Sequence, residues 1–154
     1  MRIYHQIEPN LYLKTLITRV KGEIMQLEIT SIYASVAIII YVFLSLRVAL
    51  LRGKEKVGIG SEGASSVMVK SIRIHGNFSE YAPLTIILLA LLEQQALPSW
   101  FLHLFGALFI VSRVLHLYGL SQSKGRTFGR FYGTICNFSL LLFGSFIVLF
   151  KVIF

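Results

Sequence analysis

Four long apolar stretches dominate the chain, and short segments between them hold most of the charged residues. The apolar runs are continuous rather than alternating, which is typical of helices and not of the strands of a membrane barrel. Because backbone polar groups in hydrocarbon must bond within their own segment, these runs predict transmembrane helices. The predicted spans are about 29–50, 72–95, 99–120 and 131–151. We therefore expect an all-α integral membrane protein with four transmembrane helices in an antiparallel bundle.

The first 26 residues differ in character from the rest, so we divide the chain into segments 1–26 and 27–154. Apolar residues recur at helical spacing in segment 1–26, with basic residues elsewhere, which predicts an amphipathic helix lying on the membrane. The segment has neither the apolar run nor the small-residue cleavage site of a signal peptide. The alternative is a start at Met25, which makes the preceding stretch a non-native extension. Residues 27–154 form the predicted four-helix membrane domain.

Composition supports a membrane location. Hydrophobic residues make up 55% of the 154 residues and charged residues only 14%, whereas about a quarter of a soluble domain is charged. Lipid must therefore cover much of the surface. The single cysteine, Cys136, excludes an intrachain disulfide framework. No paired metal-ligand motif occurs, and we predict no metal site.

The net charge of +8 is explained by where the basic residues lie. Outside segment 1–26 they cluster around the first and third connections, and the second connection has none. This distribution predicts that connections one and three are cytoplasmic and that both termini face outward. The four basic residues of segment 1–26 lie on the wrong side for this topology, which favours the start at Met25 or a segment lying flat on the outer surface. We therefore expect no nucleic-acid partner. The first connection, Gly53 to Ser66, is rich in glycine and serine and is expected to be flexible.

The second predicted helix carries the most informative run of polar residues, RIHGNFSEYAP from Arg73 to Pro83. Four of its polar positions fall within about a 100° arc of one helix face: Arg73, Asn77, Glu80 and Tyr81. Charges at membrane depth are costly unless they are paired or face a polar cavity. One interpretation is an ion pair between Glu80 and Arg113 that holds the bundle together. The other is a polar pocket that opens to the cytoplasm.

The run RIHGNFSEYAP resembles the signature of the MAPEG family, the membrane-associated proteins in eicosanoid and glutathione metabolism. The preceding VGIG, the following LLALLE and the later RVLHLYG resemble the small bacterial inner-membrane branch of that family. The similarity covers roughly Ile29 to the C-terminus. It implies a homotrimer of four-helix subunits, with glutathione bound between neighbouring subunits near the cytoplasmic face.

The resemblance also implies roles for individual residues. The residues expected to bind glutathione are Arg47, Arg73, His75, Asn77, Glu80, Tyr81, Arg113 and His116. An arginine that stabilises the glutathione thiolate lies just past the third helix in the family. Arg126 and Arg130 both fall there, and spacing does not choose between them as the catalytic residue. His116 stands where the eicosanoid-making members have a tyrosine, and His75 where some members have a glutamine, so the substrate is not fixed by the resemblance.

The first functional hypothesis is a glutathione-dependent transferase or peroxidase, with glutathione as co-substrate, that acts on lipophilic electrophiles from the bilayer. The second is a non-catalytic, lipid-binding membrane scaffold of the same family. A transporter or channel is weaker, because the chain shows no internal repeat and no ring of pore charges. A haem held by His75 and His116 is also less favoured than two hydrogen-bonding histidines. The expected partners are further copies of the chain, membrane lipids and a lipophilic small molecule, in a bacterial inner membrane.

Overall fold

The computed structural model describes residues 13–14, 27–122, 125 and 127–154. From residue 27 onward, the described part of the chain consists of four α-helices and their connections, without strands. The helices are α1 (Glu28–Glu55), α2 (Ser66–Gln94), α3 (Ser99–Gln122) and α4 (Phe128–Ile153). The all-α prediction is confirmed. The predicted segment 1–26 falls outside the described residues except for 13–14.

Each helix is long enough to cross a bilayer. The shortest, α3, has 24 residues, or about 36 Å at 1.5 Å per residue, against a hydrocarbon thickness of about 30 Å. By length and composition, α1, α3 and α4 are apolar enough to span a membrane. The 29 residues of α2 include the polar run, and α2 packs against all three other helices. The most polar helix thus contacts every other helix of the bundle, as α3 also does.

The bundle is antiparallel, as predicted. The start of α1 contacts the end of α2, where Thr30 meets Glu93, and the later Ser45 contacts the earlier His75. Helix α4 runs back along α3 in the same way. Within the described residues, α1 contacts α2 and α3 but not α4. Helices α2 and α3 therefore form the centre of the bundle.

Two helices begin with a side-chain cap from the residue before them. Met68 N donates to Ser65 Oγ at the start of α2, and Arg130 N donates to Thr127 Oγ1 at the start of α4. Helix α1 has Leu27 in this position, which has no side-chain acceptor. The Glu93 carboxylate of α2 accepts instead, from Ile29 N at 2.9 Å and Thr30 N at 2.8 Å. A negative charge at this helix end is also favoured by the helix dipole.

The α1–α2 connection is more structured than its glycine and serine content predicts. Helix α1 continues to Glu55, five residues past its predicted end. Arg52 Nη1 then donates to the carbonyl oxygens of three residues beyond the helix, namely Val57, Gly58 and Gly60. The Glu55 carboxylate accepts from both the backbone N–H and the hydroxyl of Ser65. These contacts tie the connection to both helix ends.

Glycines on α3 and α4 allow these helices to pack closely against their neighbours. A Cβ atom on Gly133 would lie 2.6 Å from the carbonyl oxygen of Ser112, and one on Gly144 would lie 2.9 Å from Leu88. Gly106 is covered by the ring of Tyr33. The prediction that these three glycines permit close approach is confirmed. The outer surface of the bundle carries many exposed large apolar side chains, as expected where lipid replaces water.

Candidate functional site: a polar groove beside α2

A groove of about 670 Å³ lies between α2, the end of α3 and the start of α4. We call it the polar groove. Its lining residues are Val69, Lys70, Ile72, Arg73, Gly76, Asn77, Glu80, His116, Leu120 and Arg130. It lies in the half of the bundle nearer the α1–α2 and α3–α4 connections. Five of the predicted site residues therefore meet in one cavity: Arg73, Asn77, Glu80, His116 and Arg130.

Helix α2 supplies most of the groove because one of its faces is polar. Arg73 and Glu80 are exposed, and Asn77 between them is half-buried. Glu80 is the middle residue of α2, so it lies near the middle of the bilayer if the helix is centred there. An ionised carboxylate facing lipid at that depth is strongly disfavoured. In a single chain this face of α2 would contact lipid, so it requires a further polar surface packed against it.

Arg113 of α3 lies beneath the groove with 2% of its surface exposed. Its Nη1 donates to Asn77 Oδ1 at 3.2 Å, and its Nη2 donates to the Gly133 carbonyl at 3.4 Å. The guanidinium carbon lies 5.4 Å from the centroid of the Tyr81 ring. No carboxylate of the described residues reaches ion-pair distance of this guanidinium, and its Nε is buried without a hydrogen-bond partner. The Glu80–Arg113 ion pair considered from the sequence is not formed.

His116 joins α3 to α4 at the side of the groove. Its side chain is 5% exposed, and its Nδ1 lies 2.9 Å from Thr134 Oγ1 and 3.3 Å from the Arg130 carbonyl oxygen. The Thr134 hydroxyl also donates to the Arg130 carbonyl oxygen at 2.8 Å. Two groups of α4 therefore fix the imidazole ring in place.

Other predicted residues lie outside the groove lining. His75 faces α1, where its Nε2 lies 2.9 Å from Ser45 Oγ and its ring packs on Tyr41. Tyr81 packs on the Phe138 ring and over Arg113, so it contacts the site only through that guanidinium. Because His75 faces α1 while His116 bonds to α4, the two histidines do not form a haem-binding pair. No group of three or more metal-ligating side chains occurs in the described part of the chain.

Two predicted arginines, Arg47 and Arg126, are not part of the groove lining that the structure describes. Arg47 is an exposed residue of α1 and does not line the groove. Arg126 lies outside the described residues. Arg130 is therefore the catalytic candidate that the structure places in the groove lining.

Lys70 is a groove residue that the sequence analysis did not select. It lines the groove, and its Nζ donates to the Ser121 carbonyl at the end of α3. In the sequence it was attributed to the basic first connection. Lys70 lies three residues before Arg73 and therefore on the same helix face, and this spacing is the sequence signal that identifies it as a groove residue.

An all-α membrane bundle with a charged groove beside its second helix defines the class of this protein. The family model of the MAPEG family matches residues 30–150, and the chain belongs to that family. The resemblance inferred from the second-helix run is confirmed. The chain is also similar to the inner membrane protein YecN of Escherichia coli strain K12, with 32% identity over 91 residues, or 59% of this chain and 69% of YecN. YecN of Escherichia coli strain CFT073 gives the same values.

Proposed function

We propose that this protein binds glutathione in the polar groove and joins it, through its sulfur, to lipophilic electrophiles that enter from the bilayer. The observation that carries the proposal is the exposed Glu80 carboxylate at the middle of α2, in a groove that cations otherwise dominate. A groove with this charge distribution favours a ligand with several anionic groups and one cationic group. The ligand also has to be small, because the groove measures about 670 Å³.

Glutathione has two carboxylates, one ammonium group and a thiol, and each finds a complementary group here. Lys70, Arg73 and Arg130 line the groove and offer charge-assisted hydrogen bonds to carboxylates. Glu80 offers an acceptor for the γ-glutamyl ammonium. The Asn77 amide, which Arg113 contacts from below, offers hydrogen bonds to the peptide groups. The dimensions of the groove fall in the range of small-molecule sites.

Trimer formation is the second part of the proposal. Arg73 and Glu80 on the polar face of α2 are exposed in the single chain. Without a second chain against this face, both charged side chains would contact the hydrocarbon of the bilayer, which is strongly disfavoured. A neighbouring copy would cover this face and complete the binding site. We further propose an inner-membrane location, in keeping with the name of YecN. In that location the groove end of the bundle, with its basic connections, faces the cytoplasm.

The chemistry requires a thiolate at neutral pH. Each unit by which a protein lowers the pKa of a bound thiol requires about 1.4 kcal/mol of preferential thiolate stabilisation. A cation in a partly desolvated groove can supply this, and Arg130 lies in the groove lining. Arg126 stays the alternative. The thiolate then attacks an electrophilic carbon of a substrate dissolved in the bilayer.

The test is calorimetric titration of detergent-purified protein with glutathione, followed by an assay with 1-chloro-2,4-dinitrobenzene. We expect saturable binding and glutathione-dependent release of chloride. Arg73→Gln should weaken binding by about tenfold or more through loss of a charge-assisted bond. The exposed residue Lys54 lies outside the groove lining, and Lys54→Gln is the matched control that should bind normally. The absence of glutathione binding in the unmodified protein would overturn the proposal.

A non-catalytic lipid-binding scaffold is the second candidate, and a separate observation favours it. An apolar cavity of about 380 Å³ lies between α1 and α2 beside Pro83. Its lining includes the small side chains Ala34, Ala37 and Ala82, and an apolar lining of this kind favours a hydrocarbon chain as the occupant. Glutathione binding without any turnover, together with lipid that copurifies in a fixed ratio, would select this function over catalysis.

A further inference from the structure

We infer that His116 is the proton acceptor for the glutathione thiol, through its Nε2 atom. The inference rests on the proposed function of the polar groove and adds a step to it. The cations of the groove can stabilise a thiolate once it exists, but none of them can receive the proton. His116 is the groove-lining residue whose ring nitrogen can do so at neutral pH.

The hydrogen bonds of His116 determine which nitrogen is available. The Thr134 hydroxyl uses its hydrogen to bond the Arg130 carbonyl oxygen at 2.8 Å. Its oxygen can therefore only accept from Nδ1 of His116, which lies 2.9 Å away. The other neighbour of Nδ1, the Arg130 carbonyl oxygen at 3.3 Å, is also an acceptor. Nδ1 must carry the hydrogen, and in the neutral ring the lone pair is then on Nε2.

His116 contributes to the groove lining, and the groove is where this lone pair can meet a ligand. The side chain is 95% buried, being 5% exposed, and it lines the groove. Nε2 has no hydrogen-bond partner among the described residues. The charged groups that line the same groove are Lys70, Arg73 and Glu80 on α2 and Arg130 on α4, and Arg113 lies below it on the same helix as His116. An available acceptor in a groove lined by cations is suited to deprotonate a group whose anion those cations stabilise.

The glutathione thiol gives its proton to His116. The thiol S–H bond breaks, its proton forms a bond to Nε2, and its electron pair stays on sulfur as the thiolate. With 1-chloro-2,4-dinitrobenzene, a carbon–sulfur bond forms and the carbon–chlorine bond breaks, so that chloride leaves with its electron pair. The imidazolium is repelled by Arg113 and Arg130 and releases its proton to water at the mouth of the groove. His116 returns to its neutral form.

The experiment measures bound glutathione thiolate by its ultraviolet difference absorbance at 240 nm as a function of pH. His116→Gln should keep saturable glutathione binding, with a loss of affinity of about tenfold or less for the contact that the histidine itself makes. Its pH midpoint for thiolate formation should rise by about one unit or more, and turnover at pH 7 should fall by about tenfold, since one pKa unit corresponds to a tenfold change in the thiolate fraction. His103→Gln is the matched control, because His103 contacts Tyr33 at the opposite end of the bundle.

Thr134→Val provides a second variant that keeps the histidine. It removes the acceptor that fixes the Nδ1 hydrogen, and it should raise the midpoint in the same direction by a smaller amount. An unchanged midpoint in His116→Gln overturns the inference, and so does complete loss of glutathione binding in that variant, which would make His116 a binding residue. Failure of the unmodified protein to bind glutathione is a different result, because it rejects the proposed function itself.

Discussion

The Arg113 guanidinium donates to Asn77 Oδ1 at 3.2 Å and thereby joins α3 to the polar face of α2. Asn77 lines the groove, so the bond sets the orientation of its amide from below. Arg113 has no carboxylate partner among the described residues, and Glu80 on the same face of α2 remains exposed. The two charges considered from the sequence as a structural pair therefore have separate surroundings.

Glu80→Gln should preserve stability and weaken glutathione binding by about tenfold or more. Glutamine keeps the size and one acceptor oxygen but loses the charge that meets the ligand ammonium. Stability should hold because no buried cation depends on Glu80. Calorimetry gives the affinity and thermal unfolding in detergent gives the stability. Glu62→Gln, in the exposed α1–α2 connection, is the control. A large drop in melting temperature would return Glu80 to a structural role.

The protein should be a trimer in detergent. The physical reason is that the polar face of α2 is exposed in the single chain, and packing of a neighbouring chain against it would remove its charged side chains from contact with lipid. Light scattering with the detergent mass subtracted should give about three times the chain mass of 17.4 kDa. A protein mass equal to one chain, under conditions that preserve glutathione binding, would contradict the expectation.

The connections should alternate across the membrane, with the α1–α2 connection in the cytoplasm. Cysteine substitutions at Lys56 and Gln95, made in a Cys136→Ser background, report the two sides. An impermeant thiol reagent applied to intact cells should label position 95 and not position 56. Labelling of both positions from the same side would rule out the proposed orientation and the crossing of α2 together.

Much of the fold was predictable because it depends on local patterns. Long apolar runs require helices in hydrocarbon, and the short 95–98 connection forces α2 and α3 to run in opposite directions. The shared face of Arg73, Asn77 and Glu80 also follows from helical spacing. Spacing placed Tyr81 at the edge of that face, where it packs on Phe138. The helix ends were less predictable, since Ser65 and Thr127 caps depend on backbone geometry.

The rest of the site depends on contacts between helices, which spacing along one helix does not report. His116 and Arg130 reach the groove because α3 and α4 approach each other closely at Gly119, Gly129 and Gly133. His75 belongs to the same sequence run as Glu80, yet it faces α1 and contacts Ser45. The family resemblance identified the candidate site residues. The packing of the helices determined which of those residues line the polar groove.

Gly133→Ala should destabilise the protein by about 1–3 kcal/mol, the usual range for overpacking. Its new Cβ would lie 2.6 Å from the Ser112 carbonyl oxygen and 2.8 Å from His116 N, both of which belong to backbone. Gly53→Ala is the control, because nothing lies within 4 Å of its added Cβ. Alanine in this α1 position should be neutral or stabilising by up to about 1 kcal/mol. Equal melting temperatures for the two variants would contradict the close approach of α3 and α4.

Glu93→Gln should destabilise α1 by about 1–2 kcal/mol, as expected for loss of a helix cap with a charge. Glutamine keeps one acceptor for the two N–H groups of Ile29 and Thr30 and loses the favourable charge. The control is Glu28→Gln, an exposed residue in the first turn of the same helix, for which we expect a few tenths of a kcal/mol. Thermal unfolding in detergent compares the stability of the two variants. A similar loss of stability in both would show that Glu93 contributes only a negative charge near the start of α1 and not specific hydrogen bonds.

The contacts that tie α1 to α2 have a consequence for how the protein is made. Arg52 and Glu55 reach partners no more than ten residues further along the chain, so these bonds close only small loops. They can form as soon as residue 65 has left the ribosome, before α3 and α4 have emerged from it. The first two helices can therefore enter the bilayer as an assembled pair, and the polar face of α2 acquires its partners from α3 and α4 only later in synthesis.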